Sequence, residues 1–316
     1  MTTAQETLEQ PVPRKRSRRQ ATNPDMARGI VGALDWRRRR VRWTLQSIHG
    51  ATLVFLLIIG LGPILWLAKS AITPTQDTLR TPMAMWPHGF DLGFIGRAWS
   101  QTHIDRYFMN TVWIALGSWL SQLLVATTAG FALSVLKPRF ANIISALVLA
   151  TLFVPSIVLL VPLYLSIVDV PFLHIKLINS FWAVWLPAGA SAFNVLLVKR
   201  FFDNLPREVF EAARVDGAGP FRLFWSIVLP MSRPILGVVS VFAVMASWKD
   251  FLWPLLVLPN PNVQPLSVRL PTLQQTTELD IFLAALAIAT IIPVVLFLVF
   301  QRMFLSGGDV SGSVKG

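Results

Sequence analysis

The sequence predicts an all-α integral membrane protein with six transmembrane helices. Only 14% of its 316 residues are charged and 54% are apolar, whereas about a quarter of the residues in soluble chains are charged. The apolar residues fall in long blocks, and a helix needs roughly 20 mostly apolar residues to cross a bilayer. Composition and block length together place most of the chain in a membrane.

Six apolar blocks define the predicted spans and divide the chain into three parts. The blocks lie at about 48–68, within 107–136, within 140–168, and at about 177–198, 235–258 and 281–301. They form one predicted domain, 48–305, between a basic N-terminal tail, 1–47, and a short C-terminal tail, 306–316. The N-terminal tail is rich in Arg and Pro, so we expect it to be disordered and to lie against anionic lipid headgroups.

The distribution of Lys and Arg predicts the orientation of these spans. With six spans, both termini lie on the same side of the membrane. Twenty-one Lys and Arg residues fall in the tails and segments on that side, and six fall in the opposite loops. Because positive residues accumulate on the cytoplasmic side, both termini are predicted to be cytoplasmic. The opposite loops are predicted to hold a short helix near 95–100 and to include a loop over 259–279 that is rich in Pro, Asn and Thr.

Composition and motif content exclude several kinds of chemistry. The chain has no cysteine, so it cannot form disulfides or Cys-ligated metal sites. It lacks the Gly-Lys-Ser/Thr end of a P-loop, and its four histidines are scattered without metal-ligand spacing. The net charge of +12 comes from the tail and alternate loops, which is typical of membrane orientation rather than nucleic-acid binding. We therefore expect no bound cofactor, metal or nucleic acid.

The longest charged segment between two apolar blocks, 202–234, carries clear helix signals. Asp203 and Asn204 are candidate N-caps, and Pro206 suits the first turn of a helix. Gly217 is a candidate C-terminal stop. The segment is therefore predicted to form a short helix over Pro206–Val215, followed by a second helical piece that runs to Leu229 and Pro230.

This segment contains EAARVDGAG followed by FRLFWSIVLPMSRP. The pattern resembles the EAA signature of membrane permease subunits of binding-protein-dependent, ATP-driven importers, in which it forms a coupling helix that sits in a groove of a cytoplasmic ATPase subunit. The resemblance implies the permease fold of the type I importers and assigns eight residues to ATPase coupling. These residues are Phe210, Glu211, Ala212, Ala213, Arg214, Asp216, Gly217 and Ala218. Glu211 is expected to form a charge-assisted contact and Gly217 to permit the turn.

The resemblance also implies a set of partners. Together with SWKDFLWPL near 247–255, it indicates a carbohydrate importer of the maltose/glycerol-phosphate type. Such a permease works with a second EAA-type permease, two ATP-binding cassette subunits that hold ATP and Mg²⁺, and an extracytoplasmic sugar-binding protein. The implied location is the cytoplasmic membrane of a bacterium or archaeon. The implied role is not enzymatic, since the chain would form half of a pathway for a carbohydrate and leave ATP hydrolysis to its partners.

Two further segments resemble parts of the same family. The loop 259–279 matches, by position, an outer loop that reaches into the solute-binding protein. The C-terminal sequence from Gln301 onward resembles a tail that contacts the ATPase pair. Both resemblances place additional partner contacts at the two ends of the predicted bundle.

Polar and charged residues within the apolar blocks are candidates for a transport pathway. Charges inside a span are costly and usually face protein or water, and Trp side chains can stack on a sugar ring. The candidates are Gln122, Ser191, Asn194, Trp248, Lys249, Asp250 and Trp253. The alternatives are interhelical hydrogen bonds for Ser191 and Asn194, and an interfacial charge pair for Lys249 and Asp250.

The residues alone leave two other classes of protein open. An ion-coupled secondary transporter of a small polar solute would also have several spans, but such proteins often show internal repeats and intramembrane acids. Lys249 and Asp250 are the clear charges inside the predicted spans, and the two halves show no repeat. A membrane-embedded transferase would need a cluster of acids, histidines or metal ligands, which the sequence does not show.

Overall fold

The computed structural model describes residues 39–84, 86 and 89–306, and these residues are mostly helical. The chain divides into two compact units, Met1–Pro63 and Ile64–Gly316. The helices of the first half are α1 (Arg39–Ser70), α2 (Thr75–Arg80), α3 (Gly93–Gln101), α4 (Ile104–Phe131), α5 (Ala141–Thr151), α6 (Ser156–Val168) and α7 (Trp182–Gly189). Those of the second half are α8 (Ala192–Asp203), α9 (Arg207–Val215), α10 (Pro220–Leu223), α11 (Leu229–Met231), α12 (Arg233–Lys249), α13 (Leu252–Val257), α14 (Leu266–Thr276) and α15 (Leu279–Ser306).

Within the described residues, two helical stretches are long and apolar enough to cross a membrane, Trp43–Ser70 and Ile104–Leu136. Three bent helix pairs qualify if each pair is counted as one span: α5 with α6 at 105°, α7 with α8 at 43°, and the α10–α11 stretch with α12 at 79°. The apolar stretch Leu279–Val295 begins α15. Each of these segments overlaps one of the predicted blocks, and the sharpest bend falls at Pro155, whose ψ of 129° interrupts the helical path before α6.

The central helix of the second unit is α4, which packs against α7, α8 and α12. Close approach to α7 occurs at Gly117, where an added Cβ atom would overlap the indole of Trp185. The Nε1 of Trp185 donates a hydrogen bond to the carbonyl of Trp113 at 3.2 Å. Close approach to α8 occurs at Gly130, where a Cβ atom would lie 3.0 Å from Val198 Cγ1. Small residues on α4 thus receive larger side chains from its neighbours, as in other membrane helix pairs.

Apolar clusters lie at both ends of α4. At its C-terminal end the rings of Phe131 and Phe224 lie 5.1 Å apart and pack with the buried Phe202. At its N-terminal end Ile104 and Leu266 are buried together with residues of α3 and α15. The first cluster joins α4, α8, α9 and α10, so it connects the charged segment to the helices that precede it.

The structure confirms some predicted boundaries and changes others. The short helix expected near 95–100 is present as α3. The first helix begins at Arg39, so the last residues of the predicted tail are helical. The remaining tail residues, 1–38 and 307–316, lie outside the described residues, as does most of the C-terminal sequence expected to contact the ATPases.

The region 259–279, which the sequence predicts to be a loop, is partly helical, because it contains a 3-10 turn, Pro261–Val263, and then α14. Contacts with α4 hold it in place. Asn110 Nδ2 donates to the carbonyls of Asn262 and Gln264 at 2.8 and 3.0 Å. The N–H of Leu266 donates to the hydroxyl of Thr111 at 2.9 Å. These partners lie about 150 residues away in the sequence, so local propensity does not reveal them.

The predicted span over 235–258 is also interrupted, because α12 ends at Lys249 and Asp250 is extended with ψ of 123°. Pro254 has no N–H to donate to the carbonyl of Asp250, which continuation of the helix would require. The hydroxyl of Ser267 donates to that carbonyl instead, at 2.6 Å. Lys249 and Asp250 therefore lie at a helix end rather than in the middle of a continuous span.

Candidate functional site

The charged segment 202–234 contains α9, which starts at Arg207, one residue after the predicted start at Pro206, and ends at Val215 as predicted. Pro206 occupies the N-cap position with φ of −58°, and no side chain in the described part of the chain caps the helix. Glu208 lies in the first turn and Arg214 in the last, so both charges complement the helix dipole. The expectation that Asp203 or Asn204 caps this helix is wrong, since Asp203 is the last residue of α8 and Asn204 is the C-cap of α8.

The end of α9 is a complete Schellman motif. Gly217 has φ of +75°, a conformation that glycine adopts without steric cost. Its N–H donates to the carbonyl of Arg214 at 3.0 Å, and the N–H of Ala218 donates to the carbonyl of Ala213 at 2.9 Å. These are the two bonds that define the motif, so the predicted stop at Gly217 is confirmed.

Helix α9 has one buried and one exposed face. Phe210 and Ala213 are buried in the cluster at the C-terminal end of α4, and Ala218 is half-buried against the same cluster. The other five residues assigned to coupling are exposed, namely Glu211, Ala212, Arg214, Asp216 and Gly217. The eight residues therefore divide into three that anchor the helix and five that a partner can reach.

Asp203 joins the elements around α9. Its carboxylate accepts hydrogen bonds from Ser134 Oγ and Lys199 Nζ, each at 2.8 Å. Ser134 belongs to the π-helical turn Ala132–Leu136 that ends α4. The acid thus links the ends of α4 and α8 beside a cleft of about 220 Å³. This cleft is lined by Ser134, Val135, Lys137, Phe202, Asp203, Leu205, Arg207, Phe210, Glu211 and Arg214.

Exposed apolar side chains accompany the charged face, and sequence reasoning missed them. Val215 is 87% exposed and Phe221 is 78% exposed. Trp225, which contacts Phe221 at 6.2 Å between ring centroids, is 56% exposed. The presence of apolar residues inside a polar segment could have indicated this surface, because exposed apolar groups are typical of segments that contact a protein or a membrane.

The second candidate site is a cavity of about 480 Å³ beside α4. Five of the seven predicted pathway residues line it: Gln122, Ser191, Lys249, Asp250 and Trp253. The remaining lining residues are Ser118, Leu163, Val184, Pro187, Ala188, Ala246 and Ser247. Residues from α4, α6, α7, α12 and α13 therefore converge on one mixed polar and apolar space.

Asn194 lies behind this cavity and orients one of its walls. It is 3% exposed, and its Nδ2 donates to Gln122 Oε1 at 2.7 Å. Ser191 caps α8, since its hydroxyl accepts from the N–H of Asn194. The interhelical role considered for Asn194 is thus present, and it fixes the Gln122 amide at the cavity.

The two predicted tryptophans have different surroundings. Trp253 lines the cavity, and its Nε1 donates to the carbonyl of Ala183 at 3.0 Å. Trp248 is buried in the cluster at the N-terminal end of α4, edge-on to Phe108 at 5.9 Å. Successive helical residues point about 100° apart, so Lys249 can line the cavity while Trp248 packs elsewhere.

Comparison with known proteins identifies the family of the chain. Residues 122–307 match the model for the binding-protein-dependent transport system inner membrane component. An arabinooligosaccharides transport system permease protein of Halalkalibacterium halodurans is 32% identical over 83% of this chain and 94% of its own length. An sn-glycerol-3-phosphate transport system permease protein of Escherichia coli is 30% identical over 80% and 93%. A diacetylchitobiose uptake system permease protein of Streptomyces coelicolor is 28% identical over 85% and 87%.

A solved structure supports the fold. A chain of a bacterial ABC transporter involved in the import of the acidic polysaccharide alginate superposes with a TM-score of 0.71 at 20% identity. The match covers 84% of this chain and 98% of that one, so the helical architecture is that of a type I importer permease. The family match spans both α9 and most of the cavity-lining residues. This chain therefore belongs to the family of inner membrane components of binding-protein-dependent transport systems.

Proposed function

We propose that this chain is the permease subunit of an ATP-driven carbohydrate importer, with six transmembrane helices and both termini in the cytoplasm. Family membership and the relatives that serve arabinooligosaccharides and diacetylchitobiose support a carbohydrate substrate. The six apolar segments and the uneven distribution of Lys and Arg support the topology. In such an importer the chain forms half of the translocation pathway.

The observation that carries this proposal is the division of α9 into an anchored and an exposed face. Phe210 and Ala213 pack where α4, α8 and α10 meet, so a displacement of α9 is transmitted to those helices. Glu211 and Arg214 face outward on the same helix. We infer that this exposed face docks in a groove of a cytoplasmic ATPase, where Glu211 makes a charge-assisted contact of the kind that is stronger than a neutral hydrogen bond.

The proposed partners follow from this role. A second EAA-type permease supplies the other half of the pathway, and two ATP-binding cassette subunits hold ATP and Mg²⁺. An extracytoplasmic sugar-binding protein delivers the substrate; one structural neighbour is described in complex with an oligosaccharide-bound periplasmic protein. ATP-driven closure of the cassettes would move the two coupling helices together and switch the pathway between two states.

Charge reversal at Glu211 tests the coupling role. The variant Glu211→Arg should insert into the membrane normally, because Glu211 is exposed and does not contribute to the buried face. Its ATPase subunits should no longer copurify, and sugar uptake should fall by at least about tenfold, the change that loss of ~1.4 kcal/mol of docking energy produces. Copurification and uptake are measured with the complex expressed from its own genes.

Asp105→Arg is the matched control. Asp105 is also an exposed acid in a helix, but it lies in the first turn of α4, at the end away from α9. This variant should retain both the ATPase subunits and uptake. Wild-type copurification and uptake in Glu211→Arg would contradict the coupling proposal.

A further inference from the structure

The cavity beside α4 has the size of a ligand site. Its volume is about 480 Å³, within the range of roughly 300–1,000 Å³ that is typical of small-molecule sites. Apolar side chains such as Val184 and Pro187 line it together with a small number of polar groups. This mixture matches a sugar, which has apolar C–H faces and a rim of hydroxyls.

One polar wall is oriented in advance. Asn194 Nδ2 donates a hydrogen bond to Gln122 Oε1 at 2.7 Å. This bond fixes the Gln122 amide and leaves its Nε2 as the group that can bind a ligand. Within the part of the chain that the structure describes, no hydrogen bond uses that Nε2 as a donor. Gln122 lines the cavity, and its Nε2 is not among the fully buried side-chain donors that lack a partner in the described residues, so the cavity presents a donor that a sugar hydroxyl can reach.

The aromatic wall is fixed as well. The Trp253 indole is tied to α7 through its bond to the Ala183 carbonyl, and its backbone N–H donates to the Asp250 side chain. Little conformational freedom is therefore lost when a ring stacks on this indole, which favours binding. The charges of the cavity are balanced, since Lys249 and Asp250 both line it.

Balanced charge argues against an anionic substrate. A phosphate or a carboxylate is usually held by Arg or by several donors of positive charge. Among the described lining residues Lys249 is the one cation, and Asp250 is its neighbour in the sequence. An anionic sugar would be attracted by Lys249 and repelled by Asp250, whereas an uncharged sugar would experience neither interaction.

We propose that this chain itself holds the substrate in transit, with one uncharged sugar unit stacked on Trp253 and hydrogen-bonded to Gln122. The inference rests on the proposed import function and adds a substrate site and a charge preference to it. The permease is then a selective element of the importer, acting after the binding protein has released its sugar.

The test is equilibrium binding to the purified complex of this chain with its partner permease and ATPase subunits, without the binding protein. Radiolabelled maltose and cellobiose are the uncharged probes, and digalacturonate is the anionic probe. The wild-type complex should bind at least one uncharged probe more tightly than digalacturonate. Trp253→Ala should weaken that binding at least about tenfold, the change that ~1.4 kcal/mol of lost contact gives, while Trp253→Phe should retain most of it.

A matched control and a gain-of-binding variant sharpen the test. Trp182→Ala removes an exposed tryptophan of α7 that does not line the cavity and should leave probe binding unchanged.

Asp250→Asn keeps an acceptor for the Trp253 N–H but removes the negative charge. It should strengthen digalacturonate binding about fivefold, which corresponds to ~1 kcal/mol of relieved repulsion.

The outcomes separate this inference from the import function. A complex that assembles and hydrolyses ATP but binds neither uncharged probe, or prefers digalacturonate, overturns the sugar site and leaves the importer proposal intact. Equal loss of binding in Trp253→Ala and Trp182→Ala also overturns it, because the effect would then not come from the cavity. Failure of the chain to associate with any ATPase overturns both.

Discussion

The charged segment 202–234 and the cavity beside α4 assemble their functional residues in different ways. The residues proposed for coupling lie within one helix and its cap, Phe210 to Ala218, so neighbours in sequence are neighbours in space. The cavity residues come from α4, α6, α7, α12 and α13. The first site therefore depends on local backbone geometry, and the second depends on the distances between packed helices.

This difference determines which substitutions should damage each site. A change that disturbs the backbone at the end of α9 should abolish coupling without affecting the cavity. A change that separates α4 from α7 should alter the cavity without affecting the docking face.

The largest effect is expected at the α9 cap. Gly217→Pro forces φ to about −65° where the structure requires +75°, and it removes the N–H that donates to Arg214. Membrane insertion should persist, while uptake and association with the ATPase should both be lost. Uptake by cells and copurification of the ATPase subunit measure the outcome.

Gly219→Ala is the control for that variant. Gly219 has φ of −70°, and an added Cβ atom would meet nothing within 4 Å. The Gly219→Ala variant should therefore take up sugar as the wild type does. Normal uptake in Gly217→Pro would show that the cap does not position the coupling helix.

An intermediate effect is expected where α4 meets α7. Gly117→Ala places a methyl group inside the Trp185 indole, so α7 must shift, and overpacking of this kind costs about 1–3 kcal/mol. Because α7 carries part of the cavity wall, sugar binding should weaken while ATPase copurification is retained. Gly96→Ala on α3, where a Cβ atom meets nothing within 4 Å, should leave the thermal stability of the complex unchanged or slightly raise it.

The smallest effect is expected at Trp248, one of the predicted pathway residues. Its ring packs against Phe108 in an apolar cluster, so Trp248→Phe should lower the melting temperature slightly and change sugar affinity by less than about twofold, or ~0.4 kcal/mol. Differential scanning fluorimetry and probe binding measure the two quantities. A large loss of affinity with unchanged melting temperature would place Trp248 in the pathway after all.

The parts of the structure that depend on local signals were predictable. Pro206 and Gly217 mark the two ends of α9 because proline fixes φ and glycine alone tolerates φ near +75° without strain. The apolar blocks locate the spans because a bilayer requires long apolar helices. By contrast, α14 forms in a stretch that the sequence predicts to be a loop. Hydrogen bonds from Asn110 to Asn262 and from Leu266 to Thr111 fix the beginning of this stretch against α4.

The sequence by itself determined that the chain is a membrane permease with a short helix in its charged segment, because span length, charge bias and the EAA pattern are all properties of contiguous residues. The tertiary structure alone decided which polar residues share a space. Gln122 and Trp253 line one cavity, whereas Trp248 is buried in the apolar cluster at the N-terminal end of α4. Asp203, predicted to be a helix cap, instead links α4 to α8. These outcomes depend on how helices far apart in the sequence pack together, which no local pattern records.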